Sequence, residues 1–256
     1  MKLILPPHTE AVTTPDLLPM PHKEEPTLSI SSNKIRRVLF LTITFLVSAS
    51  IAGSVMRYVF ELDNTFVNVF VRFFNLALEH NVPTLISFLF LIAASGMSAL
   101  TWLINSKDAT QKVPGNSWLL LASIFLFLSF DEALQIHETL NSFSSAAVKI
   151  SPLFYYSWTI PYGILALIIP FFLLKLLRSL PKKTASLFII SGILYVGGAI
   201  VFEFMEGYSV QLYGVGNIAD VILYTVEETC ELCGIALYIY ASAQYISRFK
   251  VKITIK

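Results

Sequence analysis

Apolar runs of about 20 residues alternate with short polar breaks along this chain, a pattern that predicts helices crossing a membrane. The first run covers about 38–58. The second, about 83–105, opens on Pro83, which suits a first helical position. The third covers about 117–140, and the fourth, about 153–178, carries Pro161 and Pro170, which predict a kink. The fifth, about 184–207, contains Gly192, Gly197 and Gly198, which predict close approach of a neighbouring helix. The sixth covers about 218–246. Between the first two lies ELDNTFVNVFVRFFNLALEHN, 61–81, too polar to span. Its Phe and Val spacing predicts a short amphipathic helix on the membrane surface. The expected fold is all-α: a polytopic membrane protein with six transmembrane helices in one bundle and that surface helix between the first and second. Residues 1–33, with six prolines, are expected to form a disordered cytoplasmic tail, leaving 34–256 as a single membrane domain.

Composition agrees. The chain of 256 residues is 55% hydrophobic and 14% charged, against about 25% charged in an average soluble chain. A net charge of +1 gives no reason to expect nucleic acid as a partner. The start, MKLILPPHTE, is too short and too broken by proline for a secretory signal. Orientation follows from Lys and Arg. With six spans, fifteen of the eighteen fall on the side that holds both termini, and only Arg57, Arg72 and Lys149 fall on the other. Both termini are therefore expected in the cytoplasm, with the bacterial inner membrane as the expected location and the lipid bilayer as the first partner.

The charge pattern inside the spans changes the picture further. FLSFDEALQIHETL, 127–140, places Asp131, Glu132, His137 and Glu138 on one apolar segment with no Lys or Arg. The fifth segment ends VFEFMEGY, with Glu203 and Glu206, and the sixth contains YTVEETCELCG, with Glu227, Glu228 and Glu231. At ~1.5 Å per residue, all three groups fall between the mid-plane and the outer surface. Asp131 and Glu138 are seven apart, Glu203 and Glu206 three apart, and Glu227 and Glu231 four apart, so each pair is expected to share a helix face. An acid at the centre of a membrane helix costs about 2.5–3.5 kcal/mol. Eight of them together exceed the ~5–15 kcal/mol that stabilises a whole fold. No cationic side chain lies at that depth, so protons, water or a bound cation must offset the charge.

Carboxylates with an imidazole suit a divalent metal. The expected ligands are Asp131, His137, Glu138, Glu203, Glu227, Glu228 and Glu231, holding Fe, Mn or Zn, as one ion or two. The carboxylate-rich set resembles four-helix di-iron sites in composition, but no Glu-x-x-His pair occurs at the site and only His137 lies in a span. On this reading the protein is a metal-dependent membrane enzyme acting on a lipid, a quinone or another apolar molecule, with Glu132 and Glu206 as general-base candidates. A proton- or cation-coupled transporter is the alternative, although no acid appears in the cytoplasmic half of any span. A purely structural polar core is the third. Cys230 and Cys233 form a C-x-x-C beside Glu231, more simply read as small packing residues than as a redox pair. Asn217 and Asp220 are expected to cap the sixth helix, and Tyr224 to hydrogen-bond Glu228 one turn on.

LSFDEALQIHE, with NVPTLISFLFLIAA before it and VEETCELCG after it, resembles an uncharacterised family of multi-pass bacterial membrane proteins. That family shows an Asp-Glu-Ala…His-Glu run followed by a late Glu-Glu-x-x-Glu. The resemblance spans about 55–245. It implies that Asp131, Glu132, His137, Glu138, Glu227, Glu228 and Glu231 form one set, and implies no activity.

Overall fold

The computed structural model describes residues 31–107, 115–141, 155–214 and 216–249. The tail expected over 1–33 lies outside them up to residue 30, and Ser32 already opens a helix. Every regular element among the described residues is helical. Helix α1 (Ser32–Ser54) runs into a π-helical turn, Val55–Val59. It is followed by α2 (Thr65–Phe74), α3 (Val82–Lys107), α4 (Gly115–Leu134), α5 (Ile136–Asn141) and α6 (Thr159–Ser179). Helix α7 (Lys182–Val196) passes through a second π turn, Gly197–Phe202, into α8 (Glu203–Tyr213), and α9 (Ile218–Ile246) closes the fold.

Five stretches are long and apolar enough to cross a membrane: Ser32–Val59, Val82–Ser106, Gly115–Leu134, Thr159–Ser179 and Lys182–Tyr213. That is the pattern of a multi-pass membrane protein. Helix α9, the sixth expected span, has the length at 29 residues, but its N-terminal half carries Asp220, Glu227, Glu228 and Glu231. Helix α2 is a short apolar helix that buries only Val67 and Val71. Its N-cap is Asn64, whose side chain accepts from the Val67 amide at 3.0 Å.

The long helix richest in acids is also the most enclosed. Helix α9 packs against α1, α3, α7, α8 and the second π turn, whereas almost none of α6 is buried. Short polar side chains tie α9 to its neighbours, as expected where lipid offers no hydrogen bonds. The Ser98 and Tyr238 hydroxyls are 2.6 Å apart, the Ser191 hydroxyl donates to the Gly234 carbonyl at 2.8 Å, and those of Ser54 and Tyr224 are 3.3 Å apart. Tyr224 therefore faces α1 rather than making the expected contact with Glu228. The start of α9 is capped twice over. Asn217 Oδ1 accepts from the Asp220 amide at 3.0 Å, and Asp220 Oδ2 accepts from the Gly216 amide at 2.7 Å.

Two expectations from local pattern change. The third apolar segment is two helices, because Gln135 takes a left-handed conformation (φ 52°) and interrupts the chain between α4 and α5. Among Gly192, Gly197 and Gly198, only Gly198 is at a close contact. A Cβ there would lie 2.9 Å from the Glu227 carbonyl oxygen and 2.9 Å from Glu231 Cγ, whereas Gly192 and Gly197 have open space. Gly198→Ala is therefore expected to cost about 1–3 kcal/mol by overpacking. Gly197→Ala is expected to stay within about 0.5 kcal/mol of the parent. Melting midpoints of the two variants in one detergent check the difference.

Candidate functional site

The second π turn sets the register of the acids on α8. A π turn holds one residue more than an α turn and so rotates everything after it by about 100°. Glu203 follows directly and is buried, with Glu206 half-buried one turn on. Glu227 reaches the same place from α9 and is only 6% exposed. One carboxylate oxygen from each of Glu203, Glu206 and Glu227 lies within 4.8 Å of the other two, a spacing that fits a shared metal ion. The segment before α6 supplies donors to two of them. Trp158 Nε1–H donates to Glu203 Oε1 at 2.9 Å, and the Tyr156 hydroxyl donates to Glu206 Oε1 at 3.3 Å. Burial, reinforced by the Glu206 charge, pushes the Tyr156 hydroxyl well above its usual pKa, so it remains a donor. Glu227 Oε2 is buried, and no donor group among the described residues meets it.

A second group lies at the break after α4. Asp131 is buried in the last turn of α4. Because Gln135 interrupts the helix, the backbone N–H of His137 turns back and donates to Asp131 Oδ1 at 2.8 Å. His137 Nδ1 lies 3.3 Å from the same oxygen, and Nε2 lies 4.0 Å from Glu138 Oε1. Glu138 is exposed and accepts from Asn141 Nδ2 at 3.3 Å. Asp131 and Glu138 therefore do not share one helix face; His137 stands between them. Backbone in the left-handed region costs a side chain with a Cβ about 1–2 kcal/mol. Gln135→Gly is accordingly expected to be about 1–2 kcal/mol more stable than Gln135→Val, whose branched Cβ tolerates that conformation worst. Paired thermal or chemical denaturation checks it.

Trp158 links the two groups. Its ring centroid is 5.0 Å from that of His137, its indole N–H holds Glu203, and its backbone N–H donates to Asn141 Oδ1 at 3.2 Å. Glu132, Glu228 and Glu231 are half-buried. Glu132 lies in the field of Glu79 and His137, and Glu231 in that of Glu132, Glu203 and His137. Glu228 feels Glu231, Glu132 and Glu203. All the acids singled out in the sequence thus occupy one electrostatic neighbourhood, but only Glu203, Glu206 and Glu227 form a group with metal-ligand spacing among the described residues. Cys230 and Cys233 are both free.

Three participants were not singled out from the sequence. Glu79 precedes α3 and interacts electrostatically with His137 and Glu138; burial pushes its carboxyl above the usual range despite the opposing pull of His137 and His80. The available signal was the Glu-His-Asn triplet before Pro83. Asn81 caps α3 by accepting from the Thr84 amide at 3.1 Å, which fixes the preceding Glu79 at the helix mouth. Tyr156 and Trp158 belong to a YYSW cluster whose aromatic character alone carried no role.

A family model described as a domain of unknown function, DUF8692, matches residues 38–245. The chain belongs to this family. No curated protein and no solved structure matches it. The DUF8692 match runs from α1 almost to the end of α9 and takes in both acidic groups and Glu79. It bears out the resemblance drawn from the Asp-Glu-Ala…His-Glu and Glu-Glu-x-x-Glu runs.

Proposed function

We propose that Glu203, Glu206 and Glu227 hold a divalent metal ion in the outer half of the membrane, and that the protein is a metal-dependent membrane enzyme acting on an apolar or lipid-like substrate. The observation that carries this is Glu227. Its carboxylate is buried within the triad, where only the Glu203 and Glu206 carboxylates come within hydrogen-bond reach and no donor group among the described residues meets Oε2; a buried oxygen so placed costs about 1–3 kcal/mol until a proton or a cation meets it. A cation would supply that missing partner.

Helix α9 crosses as a sixth span on this reading. Its acids face the bundle interior, as intramembrane acids do. Six spans put both termini on the Lys- and Arg-rich side, in the cytoplasm, and lay α2 along the outer surface. All-oxygen ligation favours Mn, Fe or Mg over zinc held by imidazole and thiolate. The metal would act as Lewis acid or activate water. Trp158 and Tyr156 orient two of the ligands. His137, fixed by Asp131, stands beside the Trp158 ring as the proton carrier, and Glu132 and Glu231 enlarge the acidic wall. Glu206 serves as a ligand, which leaves Glu132 as the general base.

Elemental analysis of the detergent-purified protein by mass spectrometry tests the reading. About one equivalent of one metal in the parent, lost in Glu203→Gln/Glu227→Gln, supports it. A parent that carries no metal after exposure to Mn, Fe, Mg and Zn sinks it.

A further inference from the structure

Beside the acidic site lies a cleft of about 370 Å³ lined by Arg57, Asn68, Val71, Arg72, Leu78 and Glu79. Its two arginines come from different elements: Arg57 from the π turn that ends α1, and Arg72 from the last turn of α2. Both are exposed, and no carboxylate pairs with either among the described residues. Asn68 spends its amide on Asp63 Oδ1, at 2.9 Å, while Val71 and Leu78 form an apolar wall.

The placement of these two cations is unusual for this chain. Fifteen of its eighteen Lys and Arg fall on the proposed cytoplasmic side. Of the three on the opposite side, two converge on this one cleft. In the same stretch of chain Tyr58, Phe60, Phe66 and Phe73 are 41–69% exposed, an apolar surface suited to contact with lipid. A guanidinium presents a planar fork of donors that matches a phosphate, and two of them flanking an apolar wall match a phosphate joined to acyl chains.

We propose that the Arg57–Arg72 cleft binds the phosphate group of an anionic lipid of the outer leaflet, holding its apolar part against Val71 and Leu78. The shared chemistry is a phosphate oxyanion between two guanidinium groups. Glu79, the one acid of the lining, accepts from the Thr84 hydroxyl at 3.5 Å and interacts electrostatically with His137 and Glu138, so the cleft shares a residue with the surroundings of that second acidic group. The binding itself does not depend on a metal.

The test is lipid retention by the full-length protein in mild detergent, read by native mass spectrometry after exposure to equal amounts of phosphatidylglycerol and phosphatidylcholine. The parent is expected to retain phosphatidylglycerol at least about tenfold better, because both lipids offer the same phosphate but the quaternary ammonium of phosphatidylcholine is repelled by the two guanidinium groups. Arg57→Gln/Arg72→Gln should bring the two lipids within about twofold of each other. Lys182→Gln/Lys183→Gln, an exposed pair at the start of α7, should retain the parental preference. Inorganic phosphate alone is the second arm. A melting shift as large as that from phosphatidylglycerol, lost in the arginine variant, keeps the anion site but assigns it a soluble ligand and overturns the lipid. A parent with no preference overturns the site, as does an arginine variant that keeps the preference. The parent's own selectivity decides the matter if that variant does not fold.

Discussion

Glu203→Gln/Glu227→Gln protein, freed of metal by a chelator, is expected to melt no lower than the equally treated parent, yet to gain nothing when metal is restored. Two opposing effects meet at this site. Without a cation, the parent buries Glu203 and Glu227 beside Glu206, and carboxylates so crowded in an apolar setting are an unfavourable arrangement. Neutral amides of the same shape lose that penalty. With a cation, the parent gains stability as RT ln(1 + [metal]/Kd), about 2.7 kcal/mol at a metal concentration 100 times Kd. Melting curves of both proteins, each with and without metal, separate the two effects. A variant destabilised equally in both conditions would show the acids to be a structural polar core, and the metal reading would fail.

Trp158→Phe is expected to weaken metal binding about 10–100-fold while leaving the stoichiometry unchanged. The indole N–H holds Glu203 Oε1 at 2.9 Å in a buried position, and the residue's backbone is itself held by Asn141. Phenylalanine keeps an aromatic ring at this position while removing the donor and part of the buried indole volume. Glu203 can then turn away from Glu206 and Glu227, or take a water in place of the indole. A metal titration followed by calorimetry reads the affinity, and Tyr156→Phe gives the parallel measurement for Glu206. Unchanged affinity in Trp158→Phe would mean that the indole does not position Glu203, and the orienting role given to Trp158 would fail.

The same residues show what local pattern can reveal. Apolar runs predict transmembrane helices because a backbone in lipid must satisfy its own hydrogen bonds, and only long apolar segments can do so as helices. The five crossing-length helices, and the presence of costly acids near the ends of particular segments, follow from that rule alone. The position of each acid along its helix is likewise legible, because rise per residue is nearly constant.

Rotation around the helix is a different matter. Asp131 and Glu138 are spaced for one face, yet the left-handed Gln135 parts them and places His137 between. Glu203 reaches Glu227 only after the Gly197–Phe202 π turn has added a residue to the helix. Both departures are governed by packing. Gly198 lets the π turn approach the α9 backbone to a distance no Cβ would allow, and the gain in contact holds an otherwise disfavoured turn in place. The Glu79 carboxyl reaches the acids from outside the apolar runs, and Tyr156 and Trp158 do so from the start of the fourth run, ahead of the first residue of α6, so no helical periodicity marks them. Local pattern is enough to place the helices, the acids along them and the scarcity of cations beside them. That three acids from α8 and α9 meet within 4.8 Å of one another is settled only by the packed fold, because it depends on how helices rotate against each other, which side-chain volume sets and spacing does not.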